Sequence, residues 1–225
     1  MNREYTMKKI IDIQQNVYYK NDEWAKKNRE FFAMNNIYVL NLIGSPGCGK
    51  TTLLYNMIES LKDKINFAVI EGDVETDIDK MRLRQTGIYV EQINTHSSCH
   101  LNAEQINKII GKMPLKDINC LIIENIGNLI CPSAFELGED IKVAVLSTAE
   151  GDEKPLKYPA LFIISKVVII TKIDLLPYVD FSMENVTKHL KHINRKIEIF
   201  SLSSKTKEGF DLWIDYLLNC INKKV

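Results

Sequence analysis

The sequence predicts an α/β protein: a mostly parallel sheet of seven strands with helices on both faces. Three observations carry this. Seven short apolar runs, at 37–43, 65–71, 88–93, 118–126, 141–147, 166–171 and 197–202, are rich in Val and Ile, the composition of strands buried on both sides. Helical patterns lie between most of these runs, so helices are available to cover both faces. The first run leads straight into GSPGCGKT, Gly44 to Thr51, a glycine-rich turn that opens a helix, the order of a P-loop NTPase.

Taken along the chain, residues 1–35 read as an N-terminal helical segment packed on the domain, and 36–225 as the domain itself. Residues 8–33 are predicted helical, with Asn21 or Asp22 capping a second segment whose Trp24, Phe31, Phe32 and Met34 cover one edge. After the strand at 37–43, residues 51–62 place Leu53, Leu54, Met57, Ile58 and Leu61 at helical spacing. The run 65–71 ends in Glu71-Gly72-Asp73, and 88–93 leads through Asn94 to Ser98 into Cys99-His100. The run 118–126 contains Glu124 and is followed by Gly127 and Cys131-Pro132. A final helix over roughly 206–223 sets Phe210, Trp213, Ile214, Leu217 and Leu218 on one stripe.

Composition bounds the function. The 225 residues hold 29 Lys plus Arg and 29 Asp plus Glu, so no global field draws the chain to nucleic acid. The N-terminus MNREYTMKK lacks an apolar core and no stretch approaches membrane-spanning length, so neither a secretory leader nor a membrane partner is expected. Five scattered cysteines suit a reducing, cytoplasmic location.

The glycine loop points to a nucleoside triphosphate. Consecutive backbone N–H groups of Gly44, Ser45, Gly47, Cys48 and Gly49 can converge on a polyphosphate, with Lys50 on its β- and γ-phosphates, Thr51 on Mg²⁺ and Thr52 completing the run. Asp73 is the first-choice Mg²⁺ ligand, direct or through water, and Glu124 the second. The segment Glu124 to Gly127 occupies the place of a switch that senses the γ-phosphate. Lys50, Thr51, Asp73 and Glu124 are therefore the candidate catalytic set. Thr171-Lys172-Ile173-Asp174 resembles the guanine element NKxD with Thr in place of Asn. An Asp carboxylate accepts from the guanine N1–H and amino edge, which adenine lacks. GTP and GDP are expected rather than ATP, with Ser203, Ser204 and Lys205 closing over the base. The electropositive loop is expected to lower the Cys48 thiol pKa, whereas Cys120 and Cys220 read as packing residues.

Cys99, His100 and Cys131 form a second constellation, outside nucleotide chemistry. Thiolate with imidazole suits Ni²⁺ or Zn²⁺; His96 reads as a solvated loop histidine before it reads as a further ligand, and three ligands from one chain suggest an incomplete site or one shared across a two-fold axis. A small-molecule kinase on the same loop is the alternative that needs neither Asp174 nor the Cys-His pair. A zinc dimer in which nucleotide only switches partner binding is another.

The phosphate loop, EGD, QINTHSSCHL, IENIGNLICP, EGDEKPLKYP and TKID, in this order, resemble the HypB family of GTPases for nickel insertion into [NiFe] hydrogenase, over roughly residues 36–220. The urease-type nickel metallochaperone GTPases are relatives, but their Cys-Pro-His motif is absent. The resemblance implies GTP hydrolysis to GDP, GTP-dependent homodimerisation, and nickel delivery with a HypA-type nickel chaperone to a hydrogenase large subunit. It makes Cys99, His100 and Cys131 the metal ligands, and it implies that Lys154 or Lys157 reaches the partner's nucleotide. The N-terminus carries neither a cysteine motif nor a histidine tract, so nickel storage is not expected. His96-Ser97-Ser98 stands where the family loop is glycine-rich.

Overall fold

The computed structural model describes residues 3–72, 83, 86–94, 98–114 and 117–224, with side chains from residue 16 onward. The seven strands are β1 (Tyr38–Gly44), β2 (Phe67–Glu71), β3 (Tyr89–Gln92), β4 (Cys120–Glu124), β5 (Ile141–Ser147), β6 (Val167–Thr171) and β7 (Glu198–Ser201). They form one sheet in the order β3-β2-β4-β1-β5-β6-β7, with every pairing parallel. The helices are α1 (Arg3–Met34), α2 (Lys50–Leu61), α3 (Ala103–Ile110), α4 (Lys154–Lys157), α5 (Pro159–Ile164), α6 (Met183–Ile193) and α7 (Phe210–Asn222). No described helix is long and apolar enough to cross a membrane.

Alternation along each strand sorts the side chains into two layers. Leu40, Leu42, Val69, Ile122, Val143 and Ile169 face one way, beneath Leu53, Leu54 and Met57 of α2 and Phe210, Trp213 and Leu217 of α7. The opposite face carries two separate apolar clusters. Val39, Ala68, Ile70 and Ile123 pack under Phe32 of α1 and Ile106 of α3. Ile43, Ala144, Leu146 and Val168 pack under Phe162 of α5 and Leu190 of α6. Between these clusters runs a buried polar seam. Lys142 pairs with Glu136 and, at 3.3 Å, with Glu139; Asn41 donates to Glu139 Oε1 at 3.0 Å and accepts from Asn125 at 3.2 Å. Buried charge is tolerable only when paired in this way.

Three details differ from the sequence expectation. α1 runs unbroken from Arg3 to Met34, so neither Asn21 nor Asp22 caps a second segment. The Asn21 amide is used elsewhere: its Oδ1 accepts the Ala103 N–H at 2.9 Å at the first residue of α3, and its Nδ2 donates to the Glu136 carbonyl at 2.8 Å. Met34 is solvent-exposed rather than packed, whereas Phe32 is buried. α7 starts at Phe210 instead of 206, because the Ser203 hydroxyl accepts the N–H groups of Lys205 and Thr206 at 3.2 and 3.1 Å and holds a turn there.

Candidate functional site

β1 lies between β4 and β5, so the loops after β1, β4 and β5 meet outside the strand ends where open α/β sheets bind ligands. The glycine loop bridges β1 and α2, with Gly49 at φ 97° as the residue before the helix, a left-handed conformation open to glycine. The helix N-terminus then aims free N–H groups and its dipole at the loop. Lys50 curls over it, donating to the carbonyls of Gly44 and Ser45 at 3.3 and 3.2 Å. Cys48 contradicts its expectation: burial pushes its thiol up to about 11, outweighing the lowering by Lys50. The physical reason is direction. The Cys48 sulphur turns inward among the core residues under the sheet, away from where phosphate would lie.

The guanine-type element is bolted to this loop. The Thr171 hydroxyl donates to the Cys48 carbonyl at 2.6 Å, and Lys172 Nζ donates to the Gly47 carbonyl at 2.7 Å. Thr171 thus uses its hydroxyl to join β6 to the loop. Ser203 donates to Asp174 Oδ1 at 2.6 Å and so orients the carboxylate, while Asn56 holds the Ser204 carbonyl at 2.9 Å. Gly49, Thr52, Thr171, Lys172, Asp174 and Ser204 line a cavity of about 420 Å³. Ser204 Oγ is buried with no hydrogen-bond partner among the described residues, a spare polar atom beside a base-sized cavity. These residues fit a guanine nucleotide.

On the other side of the loop, the Thr51 hydroxyl donates to Glu124 Oε1 at 2.7 Å. Glu124 is buried at the end of β4, opposite Glu71 in the sheet register, so it is neither a helix cap nor a surface ion. A hydroxyl and a carboxylate meeting beside a phosphate cradle are the oxygen donors that Mg²⁺ requires. Asp73 and His96 lie outside the described residues. The chain after Glu124 then passes close to the glycine loop: a Cβ on Gly127 would sit 2.8 Å from Pro46 Cγ, so only glycine fits at this crossing.

Four residues further on, this segment supplies Cys131, at the start of a short 3₁₀ turn. The ligand atoms of Cys99, His100 and Cys131 lie within 4.8 Å of one another, and Cys99 Sγ is 3.5 Å from His100 Nδ1. Thiolates each about 2.3 Å from a tetrahedral ion sit about 3.8 Å apart, so the cluster has the dimensions of a metal site. The His100 ring stacks on Phe135 with centroids 3.9 Å apart. Partial burial lowers its pKa, which favours the neutral, lone-pair-bearing imidazole. A hydrogen bond to Cys131 raises the Cys99 thiol. Sequence reasoning missed Asn125 and Asn128, whose amides tie these loops together: Asn128 donates to the Cys99 carbonyl at 3.2 Å, and Asn125 accepts the Leu101 N–H at 3.4 Å. Their only signal was polarity just beyond an apolar strand. Of the two candidate lysines, Lys154 pairs with Glu150 at 3.2 Å and is mostly covered, whereas Lys157 stands exposed with Glu153 at 3.1 Å.

The family profile described as CobW/HypB/UreG, nucleotide-binding domain, matches residues 38–201. The chain is 44% identical to the hydrogenase maturation factor HypB of Escherichia coli over 212 residues, 94% of this chain and 73% of that protein. Among solved structures, HypB from Archaeoglobus fulgidus superposes with a TM-score of 0.86 at 35% identity, covering 90% of this chain and 99% of that one. HypB from Helicobacter pylori in complex with nickel gives 0.84 at 38%, covering 91% and 96%.

Proposed function

Since the chain belongs to the HypB family of hydrogenase maturation factors, we propose that it is a GTPase that couples hydrolysis of GTP to GDP with dimerisation and nickel delivery. One observation supports this most. The loop after β4 begins at Glu124, on the Thr51 hydroxyl, and reaches the thiol cluster at Cys131, so one short segment borders both sites.

In this reading Gly44, Ser45, Gly47, Cys48 and Gly49 offer backbone donors to the triphosphate, Lys50 moves from the loop carbonyls onto it, and Asp174 with Ser203 and Ser204 selects guanine. Thr51 and Glu124, with Asp73, are the residues that would hold Mg²⁺, which when bound neutralises charge on the β- and γ-phosphate oxygens. Nickel is cargo, taken by Cys99, His100 and Cys131. Three ligands leave the site to be completed by a second copy, with Zn²⁺ the competing ion for this donor set. Lys157 is the candidate to reach the partner's nucleotide, because its exposed ion pair costs little to break. A HypA-type chaperone and the hydrogenase large subunit are the proposed partners in delivery.

Purified protein should release phosphate from GTP and not from ATP, and Lys50→Ala should abolish the release. ATP turnover without GTP turnover would instead favour the kinase reading.

A further inference from the structure

The three metal ligands sit on two separate arms, Ser98 to Leu101 after β3 and Asn128 to Cys131 after β4, and the sheet does not join those arms to each other. We propose that Asn125 and Asn128 are positioning residues that form a clasp between them, Asn128 setting metal affinity and Asn125 making it respond to nucleotide. The inference rests on the nickel-coupled GTPase reading given above.

Asn128 spans the arms directly. Its Nδ2 donates to the carbonyl of Cys99 at 3.2 Å, while its Oδ1 accepts the N–H of Ile130 at 3.0 Å, one residue before Cys131. A single carboxamide therefore fixes the backbone on both sides of the cluster, and the ligands need not be gathered by the metal at the cost of chain entropy. Asn128 itself lies outside the metal's ligand set and is half-buried, so its loss leaves the donors and the core intact.

Asn125 works one layer deeper. It is buried immediately after Glu124, and its N–H donates to the Leu42 carbonyl at 3.0 Å, holding it to β1. Its Oδ1 accepts from Ile126 at 3.0 Å and from Leu101 at 3.4 Å, the latter being the residue after His100. Its Nδ2 donates to Asn41 Oδ1 at 3.2 Å, and Asn41 is anchored on Glu139. The amide is thus held in one orientation from the seam side. A shift of the Glu124 backbone on engagement of Thr51 would be passed through Asn125 to the Cys99-His100 arm. Coupling of this kind requires a physical element that both sites bias, and this amide is covalently next to one and hydrogen-bonded to the other.

The test is a nickel titration of the full chain, followed by thiolate-to-nickel charge-transfer absorption, with Mg²⁺ and either GDP or a nonhydrolysable GTP analogue. Asn128→Ala should weaken nickel binding about five- to tenfold in both nucleotide states, the effect of losing the one hydrogen bond that spans the two arms, with the band position unchanged because the ligands remain. Asn125→Ala should bring the ratio of the two affinities close to one, while GDP affinity changes by less than about threefold, since the side chain bonds to Leu101, Ile126 and Asn41 and GDP lacks the γ-phosphate that the Glu124 to Gly127 segment would sense. Asn41→Leu, which takes away the acceptor that orients Asn125, should act in the same direction and covers the case in which Asn125→Ala does not fold. Wild-type nickel affinity in Asn128→Ala would overturn the clasp. A wild-type ratio in both Asn125→Ala and Asn41→Leu would overturn the coupling role. A ratio of one already in the unmodified protein contradicts the underlying coupled reading and the role of Asn125 with it, and leaves Asn128 to be decided by its own comparison. Absence of nickel binding in the unmodified protein contradicts both.

Discussion

Cys48 shows what a single position in a motif can hide. The pattern GSPGCGKT places it among phosphate-binding groups, and from there a lowered thiol pKa follows; yet its sulphur is turned into the core and burial raises the thiol to about 11. Which way a side chain points out of a tight turn depends on what lies beneath, here the core layer between α2 and the sheet, and residue type alone does not disclose it. Lys50, Thr51, Asp174 and the Cys99, His100 and Cys131 set were legible as candidates, because the chemistry proposed for them requires particular atoms at particular spacings, and the last three do converge to within 4.8 Å. Asn125 and Asn128 were not, because an amide that bonds to backbone leaves no pattern in residue types. The pKa gives a prediction. At pH 8 a thiol of pKa about 11 is about one part in a thousand thiolate, so alkylation of the native protein should modify exposed Cys99 and spare Cys48 until the pH approaches 11. Rapid labelling of Cys48 at pH 8, located by peptide mass mapping, would contradict its inward placement.

α1 is the element whose extent and contacts the sequence described least well. Asn21 has the residue type of a helix cap, but its amide serves α3 and the 136 carbonyl, so α1 continues through it. The attachment of α1 is polar as well as apolar. Asn28 is fully buried and donates to the carbonyls of Ala103 and Leu137 at 2.8 and 2.9 Å while accepting from Asn107 at 2.9 Å. Replacing it with Ala takes this donor from the Ala103 and Leu137 carbonyls in the interior, at roughly 1–3 kcal/mol per buried group left unsatisfied. Asn28→Ala should therefore lower the unfolding free energy by about 2–4 kcal/mol, read by urea denaturation. A change under about 0.5 kcal/mol would mean that α1 is held by Phe32 and its apolar neighbours alone. The strands, by contrast, were all visible as apolar runs, since a sheet covered on both faces leaves little room for polar side chains.

At the scale of the whole molecule, the sheet brings two chemistries to one edge. β1 and β6 lead into the glycine loop and Asp174, while the chain beyond β3 and β4 brings the thiol and imidazole groups of Cys99, His100 and Cys131 together, and the polar seam of Asn41, Glu139 and Lys142 separates the apolar clusters beneath. From the sequence each group can be assigned to the chain at or beyond the end of a strand; that the loop from Glu124 to Cys131 runs from the Thr51 hydroxyl to the thiol cluster depends on the spatial order β2-β4-β1, which periodicity does not specify. A formal net charge of zero leaves no strong self-repulsion to oppose pairing of two copies. The proposed coupling links nucleotide state and metal affinity through this edge, and linkage requires the metal to bind the two states unequally. It is tested most directly by titrating the unmodified protein with Ni²⁺ in the presence of Mg²⁺ with GDP or a nonhydrolysable GTP analogue, and recording nickel affinity and particle mass in the same samples. A dimer with the GTP analogue, a monomer with GDP, and nickel dissociation constants that differ between them by at least about fivefold, the lower end of typical coupling free energies, are expected. Equal constants in both states, whatever the mass, would contradict the coupling.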